Sequence, residues 1–193
     1  METRDYLDQA DNSKHWEQRN SPALEYFKIL KHYDKNPEGK TLLDVGCAEG
    51  VEVNEFRKLG LKADGIDAKE NFIVNAQKKF PEANFVVGSA EKLPFVDQSY
   101  DIIFSINTLF YTDIEKSLPE FCRVLKKGGR GIISFDTEII NLDENTVFHS
   151  DSVEHMKKIL EKEGAEIEGI GEVEERTDEN PFRHKHTFHK VIF

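Results

Sequence analysis

Apolar and polar residues along the chain follow two alternating periods. Short apolar runs, typical of buried strands, alternate with longer stretches whose apolar residues recur every three or four positions, as on one face of a helix. The apolar runs predict strands at 41–45, 63–67, 84–87, 100–106, 130–135, 165–173 and 187–193. The longer stretches predict helices at 14–34, 51–59, 69–80, 117–127 and 151–163, the fourth opened by the capping-box spacing of Ser117 and Glu120.

This order of elements predicts the fold class. Strands that alternate with helices are typical of a parallel sheet covered on both faces, a doubly wound, Rossmann-like α/β fold. The last two predicted strands have only the polar segment 174–186 between them, which indicates an antiparallel pair at one sheet edge. We therefore expect seven strands, mostly parallel, with an antiparallel last strand.

The turn after the first strand has the composition of a ligand-binding turn. In such sheets ligands bind beyond the carboxyl ends of the strands, and the small residues Gly46, Ala48 and Gly50 let a ligand approach the backbone closely. A glycine-rich turn of this kind also suits a dinucleotide pyrophosphate. The carboxylates of Asp44 and Glu49 would repel a pyrophosphate, however, whereas Asp44 would attract an ammonium or a sulfonium.

The second strand adds a further preference. It ends in Gly65-Ile66-Asp67, and an acidic residue about 20 residues past the turn accepts hydrogen bonds from ribose hydroxyls. The site thus favours a ligand with a ribose and a cationic amino acid part but no phosphate. S-adenosylmethionine has all three properties.

Five stretches together resemble the class I S-adenosylmethionine-dependent methyltransferases, in particular type 11-like domains. They are 42–50, 65–67, 88–95, 100–109 and 123–129. The resemblance implies that the cofactor is held by Asp44, Gly46, Cys47, Ala48, Gly50, Asp67, Ala68, Ser89, Ala90, Glu91, Ser105 and Asn107. The chain departs from the family at Ser89, where Asp is common, so either Ser89 or Glu91 is expected to contact the adenine.

The resemblance also implies a reaction, namely methyl transfer to an oxygen or nitrogen of a small molecule, sugar or lipid precursor, with S-adenosylhomocysteine as product. Tyr111 stands where relatives often carry His and is a candidate catalytic residue, together with His149 and His186. The first helix offers other candidates, namely Tyr6, His15 and Arg19. The spacing of His184, His186 and His189 favours no metal site. Two alternatives stay open: an NAD-dependent oxidoreductase or epimerase, and a cofactor-binding activator subunit of another methyltransferase.

Length and charge bound the remaining expectations. The 193 residues suit one domain, with a helical cap at 1–38, a cofactor-binding half at 39–136 and a substrate-side half at 137–193. The net charge of −11 opposes nucleic acid as a partner. No apolar run approaches the roughly 20 residues of a membrane span, and the polar N-terminus is unlike a secretory signal. We expect a cytoplasmic monomer or homodimer that acts on a small-molecule acceptor.

Overall fold

A computed structural model describes residues 23–33, 35–136, 138–141, 146–149, 153–175 and 186–193. The helices are α1 (Ala23–Tyr33), α2 (Val51–Lys58), α3 (Glu70–Lys79), α4 (Ile114–Val124) and α5 (Val153–Lys162). The strands are β1 (Thr41–Val45), β2 (Lys62–Asp67), β3 (Phe85–Val87), β4 (Tyr100–Ser105), β5 (Leu125–Asp136), β6 (Glu138–Asn141), β7 (Thr146–His149), β8 (Gly169–Glu175) and β9 (His186–Ile192). The predicted part of the first helix before Ala23 lies outside the described residues, as do Tyr6, His15 and Arg19.

The main sheet has the strand order β3-β2-β1-β4-β5-β9-β8. Its body consists of the five strands β3-β2-β1-β4-β5, and every neighbouring pair among them is parallel. The α/β, doubly wound, Rossmann-like class is thus confirmed. The parallel pairing stops at β5, at the edge where the sequence predicted an antiparallel pair. Beyond it, β9 pairs antiparallel with both β5 and β8.

The strand side chains alternate between two separate cores. In β1, Leu42 belongs to one apolar cluster and Leu43 to the other, and Ile102 and Ile103 of β4 divide in the same way. Helices α1, α2 and α3 pack on the Leu42 side, whereas α4 and α5 pack on the Leu43 side. Because successive residues of a strand point to opposite faces, this period-2 division buries both faces of the sheet.

Helix α4 begins earlier than the capping-box spacing predicts, and that prediction is wrong. The helix starts after Asp113, whose carboxylate accepts a hydrogen bond from the Glu115 N–H at 3.1 Å. Ser117 instead donates its hydroxyl to the Asp113 carbonyl at 2.9 Å, one turn back. Ser117 therefore bonds back to the preceding turn and does not cap the helix. Because the helix begins before Ser117, Pro119 lies inside it.

The second half of the chain differs from the prediction in three further respects. Strand β5 begins at Leu125 because α4 ends at Val124, and a register shift between Tyr100 and Ile102 accommodates the extra length. The polar stretch after β5 contains the hairpin β6–β7, which the sequence did not predict. Phe193 lies just past β9, yet its carbonyl accepts from the Gly131 N–H at 2.7 Å.

Candidate functional site

Backbone hydrogen bonds join the turn between β1 and α2 to the end of β2. The Gly46 and Cys47 N–H groups both donate to the Ile66 carbonyl, at 2.8 and 3.1 Å, and the Gly50 N–H donates to the Cys47 carbonyl at 2.9 Å. The carboxyl ends of β1 and β2 therefore form one rigid edge of the sheet. This is the edge at which open α/β sheets bind ligands.

Two glycines of this turn leave no room for a side chain. Gly46 has a φ of 82°, and a Cβ there would lie 1.9 Å from the Thr108 Oγ1. Gly50 has a φ of 78°, and a Cβ there would lie 2.5 Å from the Phe85 ring. Both the left-handed backbone and the close packing therefore require glycine. The glycines thus let the turn pack closely against Thr108 and Phe85.

Asp67 is anchored at the end of β2 by two backbone hydrogen bonds. Its Oδ2 accepts from the Ala48 N–H at 3.0 Å, and its Oδ1 accepts from the Lys69 N–H at 2.8 Å. Burial raises the pKa of Asp67, and these two bonds offset part of the rise. The carboxylate is thus held in one orientation, with lone pairs left for other donors. The neighbouring Ala68 is exposed.

Asp44, in β1 next to the turn, is a buried carboxylate that lacks a hydrogen-bond donor among the described residues. Only 3% of the residue is exposed, and no hydrogen bond joins its carboxylate to any residue that the structure describes. Burial raises the pKa of Asp44 well above its usual range, and the nearby charges of Glu52 and Asp67 raise it further. A buried carboxylate without a donor is costly, so this position favours a ligand that brings a positive charge.

Glu49 does not contribute to the site as the sequence suggested. Its carboxylate accepts from the Asn75 side chain at 3.0 Å and pairs with Lys79, and both partners belong to α3. Although burial alone would raise the pKa of Glu49, these partners lower it below its ordinary range. The charge is therefore neutralised within the protein, and repulsion of a pyrophosphate falls to Asp44 alone.

The segment after β3 begins beside Asp67. The Gly88 N–H donates to the Asp67 carbonyl at 2.9 Å, which brings the segment to the same sheet edge. Ser89 is exposed, and its Oγ accepts from the Glu91 N–H at 3.1 Å. Glu91 points to the start of α4, where its carboxylate accepts from the Asp113 N–H at 3.0 Å. Ala90 is 9% exposed and packs into the core.

The residues after β4 complete the floor of the site. The Ser105 hydroxyl and the Thr108 hydroxyl both donate to the Val45 carbonyl, at 3.0 and 3.1 Å. Asn107 has a φ of 57°, and its N–H donates to the Ser134 hydroxyl at 2.8 Å. Ser105 is fully buried, so its hydroxyl supports the turn rather than lying open to a ligand.

Sequence reasoning missed Thr108 and Ser134, which hold the turn and Asn107 in place. Gly46 was the feature of the sequence that pointed to such a residue, because a glycine required by close packing implies that another side chain lies against it. Cys47 lies in the turn as predicted, but it is 3% exposed. Burial, followed by the charges of Asp44 and Asp67, raises the pKa of its thiol, so it is unsuited to act as a nucleophile.

The three catalytic candidates lie on elements that follow β4, follow β5 or pair with β5. Tyr111 lies in a 3-10 turn (Leu109–Tyr111) after β4 and is 50% exposed. His149 ends β7, and in the β6–β7 hairpin its backbone lies opposite Glu138, which is two positions past the end of β5. His186 begins β9, which runs antiparallel to β5, so its backbone also lies near the carboxyl end of β5. The histidine side chains are outside the described part of the structure.

Neither a metal cluster nor a membrane span is found in the described segments. Among these residues no three His, Cys, Asp or Glu side chains are grouped as metal ligands. None of the helices described above is long and apolar enough to cross a membrane.

Comparison with known proteins shows which proteins this chain resembles. Residues 43–133 match a family model described as a methyltransferase domain. A demethylmenaquinone methyltransferase from Chlorobaculum parvum is 34% identical over 54% of this chain and 46% of its own length. A malonyl-[acyl-carrier protein] O-methyltransferase from Yersinia pestis is 33% identical over 51% of this chain and 37% of its own length. The chain therefore spans less than half of the length of these two relatives.

A solved structure extends the similarity to most of the fold. A SAM-dependent methyltransferase from Methanosarcina mazei superimposes with a TM-score of 0.72 over 85% of this chain and 95% of its own, at 20% identity. These matches favour the methyltransferase interpretation over the dinucleotide-dependent one. Residues 43–133 therefore resemble a methyltransferase domain, and the solved structure shows that the fold is shared.

Proposed function

We propose that this protein transfers a methyl group from S-adenosylmethionine to an oxygen or nitrogen of a small-molecule acceptor. The observation that carries the proposal is the pair of carboxylates at neighbouring strand ends. Asp44 and Asp67 flank the glycine-containing turn, and Asp44 lacks any donor among the described residues. S-adenosylmethionine fits this pair, because its ammonium supplies the charge that Asp44 requires and its ribose supplies donors for Asp67.

Each part of the turn has a role in holding the cofactor. Asp67 would accept from the ribose hydroxyls, since Ala48 and Lys69 already fix its orientation. Asp44 and the backbone of Gly46 would hold the amino acid end, and Cys47, Ala48 and Gly50 would shape the turn beneath it. The segment with Ser89, Ala90 and Glu91 would lie along the nucleobase, next to Ala68. Asn107, supported by Ser134, would face the point of transfer, and Ser105 would support the turn through the Val45 carbonyl.

The bound cofactor supplies an electrophilic methyl carbon on a sulfonium. The protein's task is then to position the acceptor, and any proton lost by the acceptor needs a base or water to receive it. Tyr111 is our first candidate for orienting the acceptor, because it is exposed directly after β4. A phenol is a poor base near neutral pH, so His149, His186 or a residue of the segment before α1 would take the proton.

The identity of the acceptor remains a matter of chemical class. The two curated relatives are named for acceptors as different as demethylmenaquinone and a malonyl group on a carrier protein. We propose a small molecule, with a quinone-like ring or a carboxylate-bearing lipid precursor as the first compounds to screen. We also propose a single domain over 1–193, with a cap at 1–38 and the acceptor side formed by 137–193, in a cytoplasmic monomer or homodimer.

Calorimetry and a turnover assay test this function together. S-adenosylmethionine and S-adenosylhomocysteine should bind, and NAD should not. Release of S-adenosylhomocysteine should increase when a true acceptor is added from a screen of quinones, phenols, sugars and carboxylic acids. Binding of NAD in preference to S-adenosylmethionine would overturn the proposal. Binding without turnover, restored by a second protein, would instead indicate the activator role.

Tyr111→Phe tests the acceptor side separately. We expect turnover to fall about tenfold, or about 1.4 kcal/mol, with no change in cofactor affinity, because the hydroxyl would contact the acceptor and not the cofactor. The measurements are turnover with the identified acceptor and calorimetry with S-adenosylhomocysteine. Unchanged turnover would remove Tyr111 from the site and leave the histidines as candidates.

A further inference from the structure

Arg123 of helix α4 makes several hydrogen bonds to the segment between β3 and β4. The Arg123 guanidinium donates to the Leu93 carbonyl at 2.9 Å and to the Phe95 carbonyl at 2.8 Å. It also pairs with Asp97 at 2.7 Å. One side chain therefore bonds to three residues of the segment 93–97. The planar guanidinium has several N–H donors and can bond to several acceptors at once.

Glu120 completes this arrangement one helical turn earlier. Its Oε1 and Oε2 accept from the Arg123 Nε and Nη2 at 2.7 and 2.8 Å, which fixes the plane of the guanidinium. Its Oε2 also accepts from the Leu93 N–H at 2.7 Å. The backbone of Leu93 is thus held on both its N–H and its carbonyl side. Hydrogen bonds from Arg123 lower the pKa of Glu120, which keeps the pair ionised near neutral pH.

The position of this segment connects the pair to the cofactor site. The segment leaves β3 at Val87, whose partner in β2 is Asp67, and the Gly88 N–H donates to the Asp67 carbonyl. Once Asp67 holds a ribose, the attached base extends away from the turn along whatever lies beside Asp67. Residues 88–95 occupy that place, so the path of their backbone sets the wall against which the base lies.

We propose that Arg123 and Glu120 are positioning residues for cofactor binding, which act by fixing the path of the segment 88–97. The proposal rests on the proposed function, because it takes an adenosine cofactor as the ligand. Neither side chain touches the turn after β1. Their effect is on binding of the nucleoside and not on the point of transfer.

A purely structural role would have a different signature. Leu93 and Ala90 are buried in the apolar core, and Phe95 packs edge-on against Tyr100 at 5.3 Å. These apolar contacts do not involve Arg123, so its loss should leave a folded protein in which the backbone of the segment is held less tightly. If the pair served stability alone, variants would lower the unfolding temperature without weakening the cofactor in the fraction that remains folded.

The experiment measures the dissociation constant of S-adenosylhomocysteine by calorimetry for Arg123→Gln and two matched controls. We expect Arg123→Gln to weaken binding about tenfold. Asp97→Asn removes only the exposed partner and should change binding less than threefold. Arg57→Gln removes an arginine that donates to the Ala63 carbonyl, away from the segment, and should also leave binding unchanged. Hydrogen exchange in residues 88–97 should accelerate only in Arg123→Gln.

A second pair of variants separates charge from geometry, and it keeps the test open if Arg123→Gln fails to fold. Glu120→Gln keeps an oxygen for the Leu93 N–H but turns its amide N–H2 toward the Arg123 Nε–H, so it should weaken binding less than Glu120→Ala, which should weaken it about tenfold. Wild-type affinity in folded Arg123→Gln or Glu120→Ala overturns this inference alone. A wild-type protein that binds neither S-adenosylhomocysteine nor S-adenosylmethionine overturns the proposed function, and this inference with it.

Discussion

At the scale of single residues, the site is governed by how each carboxylate is satisfied. Glu49 is neutralised by Lys79 and Asn75, and Asp67 is oriented by two backbone N–H groups. Asp44 has neither kind of partner among the described residues. Three carboxylates within a short stretch of sequence therefore have three different roles, which residue type alone does not distinguish.

Asp44→Asn should make the protein more stable and less able to bind its cofactor. Burial raises the pKa of Asp44, so the folded state favours the protonated form. Wild-type stability therefore falls as the pH rises from about 3.9, the ordinary aspartate value, through the raised pKa. The amide carries no charge and escapes this loss. Thermal unfolding should show a higher midpoint for the variant at pH 8 and a difference that shrinks toward pH 4.

The same substitution should weaken S-adenosylmethionine binding by about tenfold or more at pH 8, since the ammonium loses its partner. Wild-type affinity should rise with pH through the raised pKa, because binding requires the ionised carboxylate, and the variant should lack this rise. Calorimetry across pH 5–8 checks both statements. A variant that binds as tightly as the wild type would remove Asp44 from the cofactor site.

Asp67→Ala should weaken S-adenosylmethionine by about tenfold or more, because ribose hydroxyls lose a charged acceptor worth roughly 1.5–3 kcal/mol. Asp67→Asn is the sharper comparison, since its amide N–H2 would face the N–H of Ala48 or Lys69 and lose the fixed orientation. Calorimetry on both folded variants gives the measurement. An unchanged dissociation constant in either would show that the ribose is held elsewhere.

At the scale of elements, the sequence predicted the strands and helices of the parallel body well, because their apolar periods are strong. The ends were less predictable. Ser117 and Glu120 had the spacing of a cap, but Ser117 bonds back to Asp113, and Glu120 holds Arg123 and Leu93. The hairpin β6–β7 lies in a polar stretch whose weak pattern gave no strand signal. Contacts between residues distant in sequence, such as Thr108 against Gly46, leave no pattern in the local sequence and could not be predicted from it.

The turn between β1 and α2 gives a prediction with a built-in control. Gly46→Ala combines a left-handed φ with a clash against Thr108, whereas Gly39→Ala has a φ of 81° and nothing within 4 Å. We expect Gly39→Ala to cost about 1–2 kcal/mol from backbone strain. Gly46→Ala should cost a further 1–3 kcal/mol or so from overpacking. Denaturant unfolding measures both, and equal losses would mean that Thr108 can move aside.

At the scale of the whole molecule, charge determines which partners can approach. The net charge of −11 opposes phosphate backbones. We expect no complex with tRNA or duplex DNA at physiological salt and protein concentrations of about 10 μM, which gel-shift and anisotropy measurements would check. A tight, salt-dependent complex would contradict this and direct attention to the basic residues near the C-terminus.

The antiparallel end of the sheet also determines the order in which the sheet can assemble. Strand β9 lies between β5 and β8, although β8 comes first in the chain. During synthesis β8 emerges before its partner β9, and it can join the sheet only together with β9 or after it. The pairing of β9 with β5 joins residues as distant as Ile132 and Ile192, so it incurs a large loop-closure entropy. The strands of the parallel body, with the turn and both carboxylates, all precede β8 in the chain, whereas His186 lies in the last strand.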